Sequence, residues 1–332
     1  MILIGQPVPV SPDHAQSPMK LVSIPANPVP EDVVSGALKT ADRIDLRFAR
    51  WAPPPGRKGT VCILQGRAEF IEKYYETVRE LRSRGFAVAT MDWRGQGLSQ
   101  RALRDPKKGY VESFREYETD LEAFMREIVL PDCPPPYYAI GHSMGASVLI
   151  RIAYRGYRWF DRMVLCAPLI RLGPQLLTPF ARPAVTFLNG LGMGTSYVPG
   201  GSPMVVASQP FIGNVLTSDP VRHARTAAVL EADPALGLGS PTNAWASAAF
   251  SMMNELENIN YPAKIRQPIM MIAAGRDVTV STAAIEDFAG RLRAGAHLII
   301  AGSRHEMMME TDRYRAQFWA AFDAFVPGTP LY

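Results

Sequence analysis

Gly141-His142-Ser143-Met144-Gly145 places a serine between two glycines at the spacing G-x-S-x-G. Ahead of it Tyr137-Tyr138-Ala139-Ile140 reads as a short apolar strand, and behind it Ala146 to Tyr154 reads as a buried helix. Strand, tight turn and helix are the setting in which this spacing does chemistry. The turn forces the serine into a strained backbone that lifts its hydroxyl outward. A side chain at Gly141 or Gly145 would strike the neighbouring strand or helix. The amides that open such a helix face any negative charge developing beside the serine. Ser143 is the candidate nucleophile.

A serine hydroxyl attacks poorly near neutral pH unless a histidine takes its proton and a carboxylate holds that histidine. On an alternating strand-helix framework the partners should follow in the order acid, then histidine, each at a strand's carboxyl end. Met270-Met271-Ile272-Ala273-Ala274-Gly275-Arg276-Asp277 is an apolar strand, a glycine turn and a carboxylate. Leu298-Ile299-Ile300-Ala301-Gly302-Ser303-Arg304-His305 repeats the pattern with a histidine. Alone, Asp277 reads as a solvated turn aspartate and His305 as a surface turn histidine. Their order after Ser143 makes them the candidate acid and base.

Other candidates fit less well. His142 lies inside the turn and cannot fold back onto its neighbour, so it reads as a packing or structural hydrogen-bonding residue. His14 lies near the N-terminus, His297 begins a strand, and His223 falls in a region of different pattern. Asp92-Trp93-Arg94-Gly95-Gln96-Gly97-Leu98-Ser99 reads as a tight turn braced by Asp92; no lysine-bearing helix follows to make it a phosphate cradle. The oxyanion formed on attack needs two amide donors. Met144 N–H follows the serine, and Arg67 N–H lies just past Gly66, where a buried strand ends. The side chains of Arg67 and Glu69 read as a surface ion pair opening a helix.

Those residues need a frame. Arg43 to Trp51 alternates polar and apolar residues, as an edge strand does. Gly59–Gly66, Phe86–Trp93, Met163–Ala167, Pro268–Ala274 and His297–Ala301 read as buried strands. Glu69–Arg84, Phe114–Leu130, Ser281–Leu292 and Met308–Phe325 read as amphipathic helices. This alternation predicts an α/β fold, a mostly parallel sheet covered on both faces. Residues 1–35 read as an extended arm, and 36–169 with 263–332 as the core. The intervening 170–262 break the rhythm over a length too great for a loop, and read as a mostly helical cap.

A net charge of +4 without basic runs among aromatics argues against nucleic acid as a partner. Three cysteines without framework spacing point to a reducing compartment, and no metal-ligand spacing appears. The N-terminus lacks a basic segment followed by an apolar leader core, and no apolar run is long enough to span a bilayer. A cytoplasmic location is expected, with peripheral membrane contact through the cap left open. Nothing points to a protein partner.

Five stretches together, LQGRAEFIEKYYE (64–76), MDWRGQGLS (91–99), AIGHSMGA (139–146), AAGRDVTV (273–280) and AGSRHEMMME (301–310), resemble the α/β-hydrolase superfamily. The likeness is to its serine lysophospholipases and monoacylglycerol lipases, in the serine-aminopeptidase-like group. LTSDPVRHAR (216–225) also looks like bacterial lysophospholipase-type members. The resemblance covers about residues 40 to 326. It implies the α/β-hydrolase fold, with the cap after the sixth strand. It also implies Ser143, Asp277 and His305 as the triad and Arg67 and Met144 as oxyanion donors. Monoacylglycerol lipases usually carry His-Gly where this chain has Gln65-Gly66, which favours the lysophospholipase-like branch.

The expectation is a serine carboxylic-ester hydrolase that takes a small lipid ester and works without metal or organic cofactor. Substrate choice should lie in the cap. There Leu176, Phe180 and Phe187 belong to an apolar stretch suited to an acyl channel or a membrane surface, and packing on the core is the plainer reading. Gly190 to Pro203 reads as a flexible loop that gates access. Arg222 and His223 follow an Asp219-Pro220 helix start and would meet an anionic head group, unless they form a solvated face. A small-ester esterase, a serine peptidase, an acyltransferase and a ligand-binding protein without turnover remain alternatives.

Overall fold

The computed structural model describes residues 19–326 except 57, 175 and 177–179. Its strands are Val33–Lys39 (β1), Asp45–Trp51 (β2), Thr60–Leu64 (β3), Ala87–Met91 (β4), Tyr137–His142 (β5), Arg162–Cys166 (β6), Ile269–Ala274 (β7) and Gly295–Ile300 (β8). They form one sheet in the order β1-β2-β4-β3-β5-β6-β7-β8. β2 pairs antiparallel with both β1 and β4; the other pairings are parallel. β3 and β4 are buried at every residue, because both faces of the central sheet are covered. This is the expected α/β-hydrolase architecture.

Among the described residues, the helices of eight residues or more are Tyr75–Ser83 (α1), Arg115–Phe124 (α2), Ser143–Tyr154 (α3), Ala181–Leu188 (α4), Pro220–Ala232 (α5), Asn243–Leu256 (α6), Thr282–Gly290 (α7) and Asp312–Phe325 (α8). Helix α2 continues through a π-helical turn, Met125–Val129. Helices α4 to α6 lie between β6 and β7. Asp219 caps α5 by accepting from Val221 and Arg222 amides, ahead of Pro220 in the first turn. No described helix is long and apolar enough to cross a membrane.

Two expectations, on residues 43–51 and on Gly190–Pro203, need correction. Residues 43–51 are not an edge strand, because β1 pairs on one side of β2 and β4 on the other. The polar residue Arg47 is fully buried there, held by Glu72 and Asp92. The described part of the 1–35 arm is tied down: Val22 is buried, Val22 N–H donates to Glu72 (3.1 Å), and Trp51 Nε1 donates to Pro30 O (3.1 Å). Residues 1–18, with His14, lie outside the described residues. The Gly190–Pro203 stretch begins as a helical extension of α4, Asn189–Met193, in which Gly192 takes a positive φ of 79°.

Helix α6 is unlike a cover. Trp245, Phe250, Met252, Met253 and Leu256 join the same buried cluster as the sheet strands, and Trp245 Nε1 donates to the Tyr117 hydroxyl of α2 (2.9 Å).

Candidate active site

β5 ends at His142, and α3 begins at Ser143 with φ +48°. A non-glycine residue in this region stores local strain, which the surrounding packing must hold. The glycines explain how the turn fits. A Cβ on Gly141 would lie 2.7 Å from Ala146 Cα, and one on Gly145 would lie 2.4 Å from the carbonyl oxygens of Leu64 and Gln65. Helix and sheet approach here more closely than any side chain allows.

The carboxyl ends of β7 and β8 bring the other two residues to this turn. His305 Nε2 lies 3.1 Å from Ser143 Oγ, and His305 Nδ1 lies 2.7 Å from Asp277 Oδ2. Asp277 Oδ1 accepts from the amides of Thr279 (2.8 Å) and Val280 (3.0 Å), which fixes the carboxylate's direction. Burial alone would raise its pKa, but the facing His305 and those two amides hold it below the ordinary carboxylate value. The Asp and His loops are joined directly, Arg276 N–H donating to Ser303 O (2.8 Å). An oriented imidazole against a strained hydroxyl can withdraw its proton, and the carboxylate stabilises the imidazolium that results.

The loop after β3 is held from both sides. Gly66 N–H donates to Glu69 Oε2 (2.5 Å), and Ala68 N–H donates to Gln96 Oε1 (2.5 Å). Between them, Arg67 N–H has no partner among the described residues. Met144 N–H sits in the first turn of α3, where an amide has no helical acceptor. Asp92 braces the supporting turn as expected: it accepts from Leu98 N–H (2.8 Å), Ile71 N–H (3.0 Å) and Arg47 Nε (2.7 Å).

Glu69 is not part of a surface ion pair. It is buried and accepts also from Lys73 Nζ (2.8 Å) and the Tyr74 hydroxyl (2.8 Å), and it lies 3.0 Å from His142 Nδ1. The other nitrogen of His142 reaches the backbone oxygen of His305 (3.2 Å), and Lys73 bridges on to Glu306 (2.7 Å). Burial would raise the Glu69 carboxyl, yet His142 and Lys73 hold it well below its ordinary value; burial would lower His142, and Glu69 lifts it above. This cluster ties the β3 loop, the serine turn and the histidine loop into one unit. Its only sequence signal was the run of polar residues Glu69, Glu72 and Lys73 on a helix start.

The candidate residues within 170–262 sort into two groups. Leu176, Phe180 and Phe187 are exposed, Phe180 at 79%. Arg222 is neither on a solvated face nor free for a head group. It pairs with Glu76 (2.7 Å), Asp219 (2.6 Å) and Asp312 (2.6 Å), and donates to Glu310 O (3.0 Å). His223 is buried against Gln209 O (2.8 Å) and Asn214. Both residues are tied into the fold, because a buried polar group must find a partner there. The segment before α5 sits directly on the histidine loop, with Glu306 N–H donating to Leu216 O (2.8 Å) and Arg304 to Thr217 O (2.9 Å). Among the described residues no group of His, Cys, Asp and Glu is arranged to hold a metal ion.

A serine on a strand-to-helix turn, with histidine and aspartate delivered by later strands of a mostly parallel sheet, defines a serine hydrolase of the α/β-hydrolase fold. The family model described as serine aminopeptidase, S33, matches residues 55–312, and the chain belongs to that family. It is 28% identical over 289 residues to lysophospholipase L2 of Escherichia coli (strain K12), covering 83% of this chain and 82% of the relative. It is 22% identical over 275 residues to a monoacylglycerol lipase of Mycolicibacterium smegmatis, covering 79% and 86%. Among solved structures, a soluble variant of monoglyceride lipase from Saccharomyces cerevisiae superposes with TM-score 0.69 at 19% identity, covering 89% of this chain and 97% of that one.

Proposed function

We propose that the protein hydrolyses the acyl ester of single-chain lipids, lysophospholipids or monoacylglycerols, through Ser143, His305 and Asp277. The observation that carries the reading is the unbroken chain from Ser143 Oγ through both nitrogens of His305 to Asp277, at 3.1 and 2.7 Å. Ser143 Oγ attacks the ester carbonyl while His305 Nε2 takes its proton. The N–H groups of Met144 and Arg67 hold the oxyanion. Protonated His305 gives its proton to the departing alcohol, leaving an acyl-enzyme. Water, deprotonated by the same imidazole, then releases the fatty acid and restores Ser143.

The lipid substrate class draws support from the lysophospholipase and monoacylglycerol lipase names of the relatives. The cap adds a physical reason. Phe180, Phe187 and Ile212 stand exposed in it, Ile212 at 95%, and exposed large apolar side chains suit contact with a lipid surface. The test is acid release from lysophosphatidylcholine, monoacylglycerol and a short-chain ester, with Ser143→Ala as control. Long-chain lipids should be preferred. Turnover of the short ester alone would reject the lipid reading and leave a small-ester esterase; activity retained in Ser143→Ala would reject the nucleophile.

A further inference from the structure

Each of the enclosed arginines that ties the core together is matched by carboxylates. Arg47 has Glu72 and Asp92; Arg94 has Asp42, Glu116 and Asp120; Arg151 has Glu118 and Glu255; Arg315 has Glu76 and Glu80. Arg67, like Arg101 and Arg304, has carbonyl partners but no carboxylate, and unlike them it also has a buried Nε without an acceptor. Among the described residues it forms no ion pair. Its Nη2 donates to Gly239 O (2.6 Å), its guanidinium lies 5.1 Å from the Trp245 ring centre, and its enclosed Nε has no partner. Burial lowers its pKa to about 10, against only the weak opposing influence of two tyrosines, Tyr117 and Tyr197. A partly buried cation without an anion is costly, so folds normally supply one.

The place of this cation is specific. Its backbone lies in the loop whose ends are held by Glu69 and Gln96, beside the serine turn, and its side chain crosses to the cap at Gly239 and Trp245. It therefore stands at the seam between core and cap, on the residue whose amide is assigned to the oxyanion. We propose that the Arg67 guanidinium is the anion site of the enzyme, receiving the phosphodiester of a lysophospholipid head group while the acyl ester of the same molecule lies at Ser143. This rests on the lipid-ester reading above and sharpens it. The ester and the phosphate of a lysophospholipid are carried on one glycerol, so neighbouring subsites suit them. A guanidinium offers the paired donors that phosphate oxygens accept. A monoacylglycerol has no group to use the site.

The test compares the full-length wild type with Arg67→Gln and Arg67→Lys on lysophosphatidylglycerol and monoacylglycerol of one acyl chain, below micellar concentrations. Both variants keep the backbone amide. Relative to wild type, Arg67→Gln should lower the ratio of kcat/KM on the phospholipid to kcat/KM on the monoacylglycerol by about 10- to 100-fold, with Arg67→Lys between. Equal losses on both lipids would make the side chain a strut of the loop and overturn the proposal, as would no loss on either. A second arm stands apart from lipid turnover. Glycerol 3-phosphate should inhibit wild-type hydrolysis of a short neutral ester competitively, and Arg67→Gln should relieve that inhibition. Equal inhibition of both proteins, or of neither, would overturn the anion site. A wild type that turns over neither lipid, yet loses phosphate inhibition on Arg67→Gln, would keep the site and reject the lipid reading.

Discussion

Around Ser143 the polar groups are held from within: Asp277 by two amides, Glu69 by four donors, the β3 loop by Glu69 and Gln96. Across residues 170–262 polar groups such as Arg222 and Asp219 are spent on attachment, while Phe187, Leu191 and Met193 of α4 and its extension are exposed. One region is pre-organised before any substrate arrives. The other is anchored by the segment before α5, by Arg222 and by α6, while Phe180, Phe187 and Ile212 stay exposed.

The largest effect should come from the pre-organised side. Ser143→Ala should reduce ester hydrolysis by about 10⁴-fold or more with melting temperature and circular dichroism unchanged; a fall in stability as large as the fall in activity would mean that the turn, not the hydroxyl, had been lost. Arg47→Met should come next. It leaves Glu72 and Asp92 facing each other without a cation, and should cost about 3–5 kcal/mol in a urea titration. A cost near zero would show that the buried network is not needed to seat the turn at 92–99.

The cap margin should be more forgiving. Glu76 binds Arg222, Arg225 and Arg315. Burial would raise its carboxyl, but those arginines, Arg222 foremost, bring it down to about 2. A depressed carboxyl contributes stability above its unfolded pKa, about 4.3, and loses it as pH falls through the folded value. Glu76→Gln should therefore melt below wild type at neutral pH, and the gap should narrow as pH falls from about 5 toward 2. A gap independent of pH would place the effect in packing. The smallest change in stability should follow Phe180→Ser with Ile212→Ser, within about 0.5 kcal/mol since both side chains are exposed. Vesicle co-sedimentation should nevertheless drop. Unchanged sedimentation would remove the cap surface as a lipid contact and blur the contrast between the two regions.

Much of this was legible in the chain. The glycines at 141 and 145, the apolar runs of β3 and β4, and the carboxylate and histidine after β7 and β8 are local patterns, readable because turns and buried strands impose their residue types over a few positions. β1 escaped because Ser35 and Gly36 interrupt its alternation; it is a strand through its pairing with β2. Arg47 reads as the polar face of an edge strand because its burial depends on Glu72 and Asp92, 25 and 45 residues away. Glu69 and Arg222 were misread for the same reason: each looks like a surface charge until its partner arrives.

Sequence alone therefore determined the sheet-and-helix rhythm, the serine turn and the order of the residues that meet there, since strand, turn and helix each act over a short span. Tertiary structure alone decided which charges are buried and which arginines are left without an anion. Such burial costs several kcal/mol for each uncompensated ion, and only the folded arrangement of distant carboxylates determines where that cost is offset.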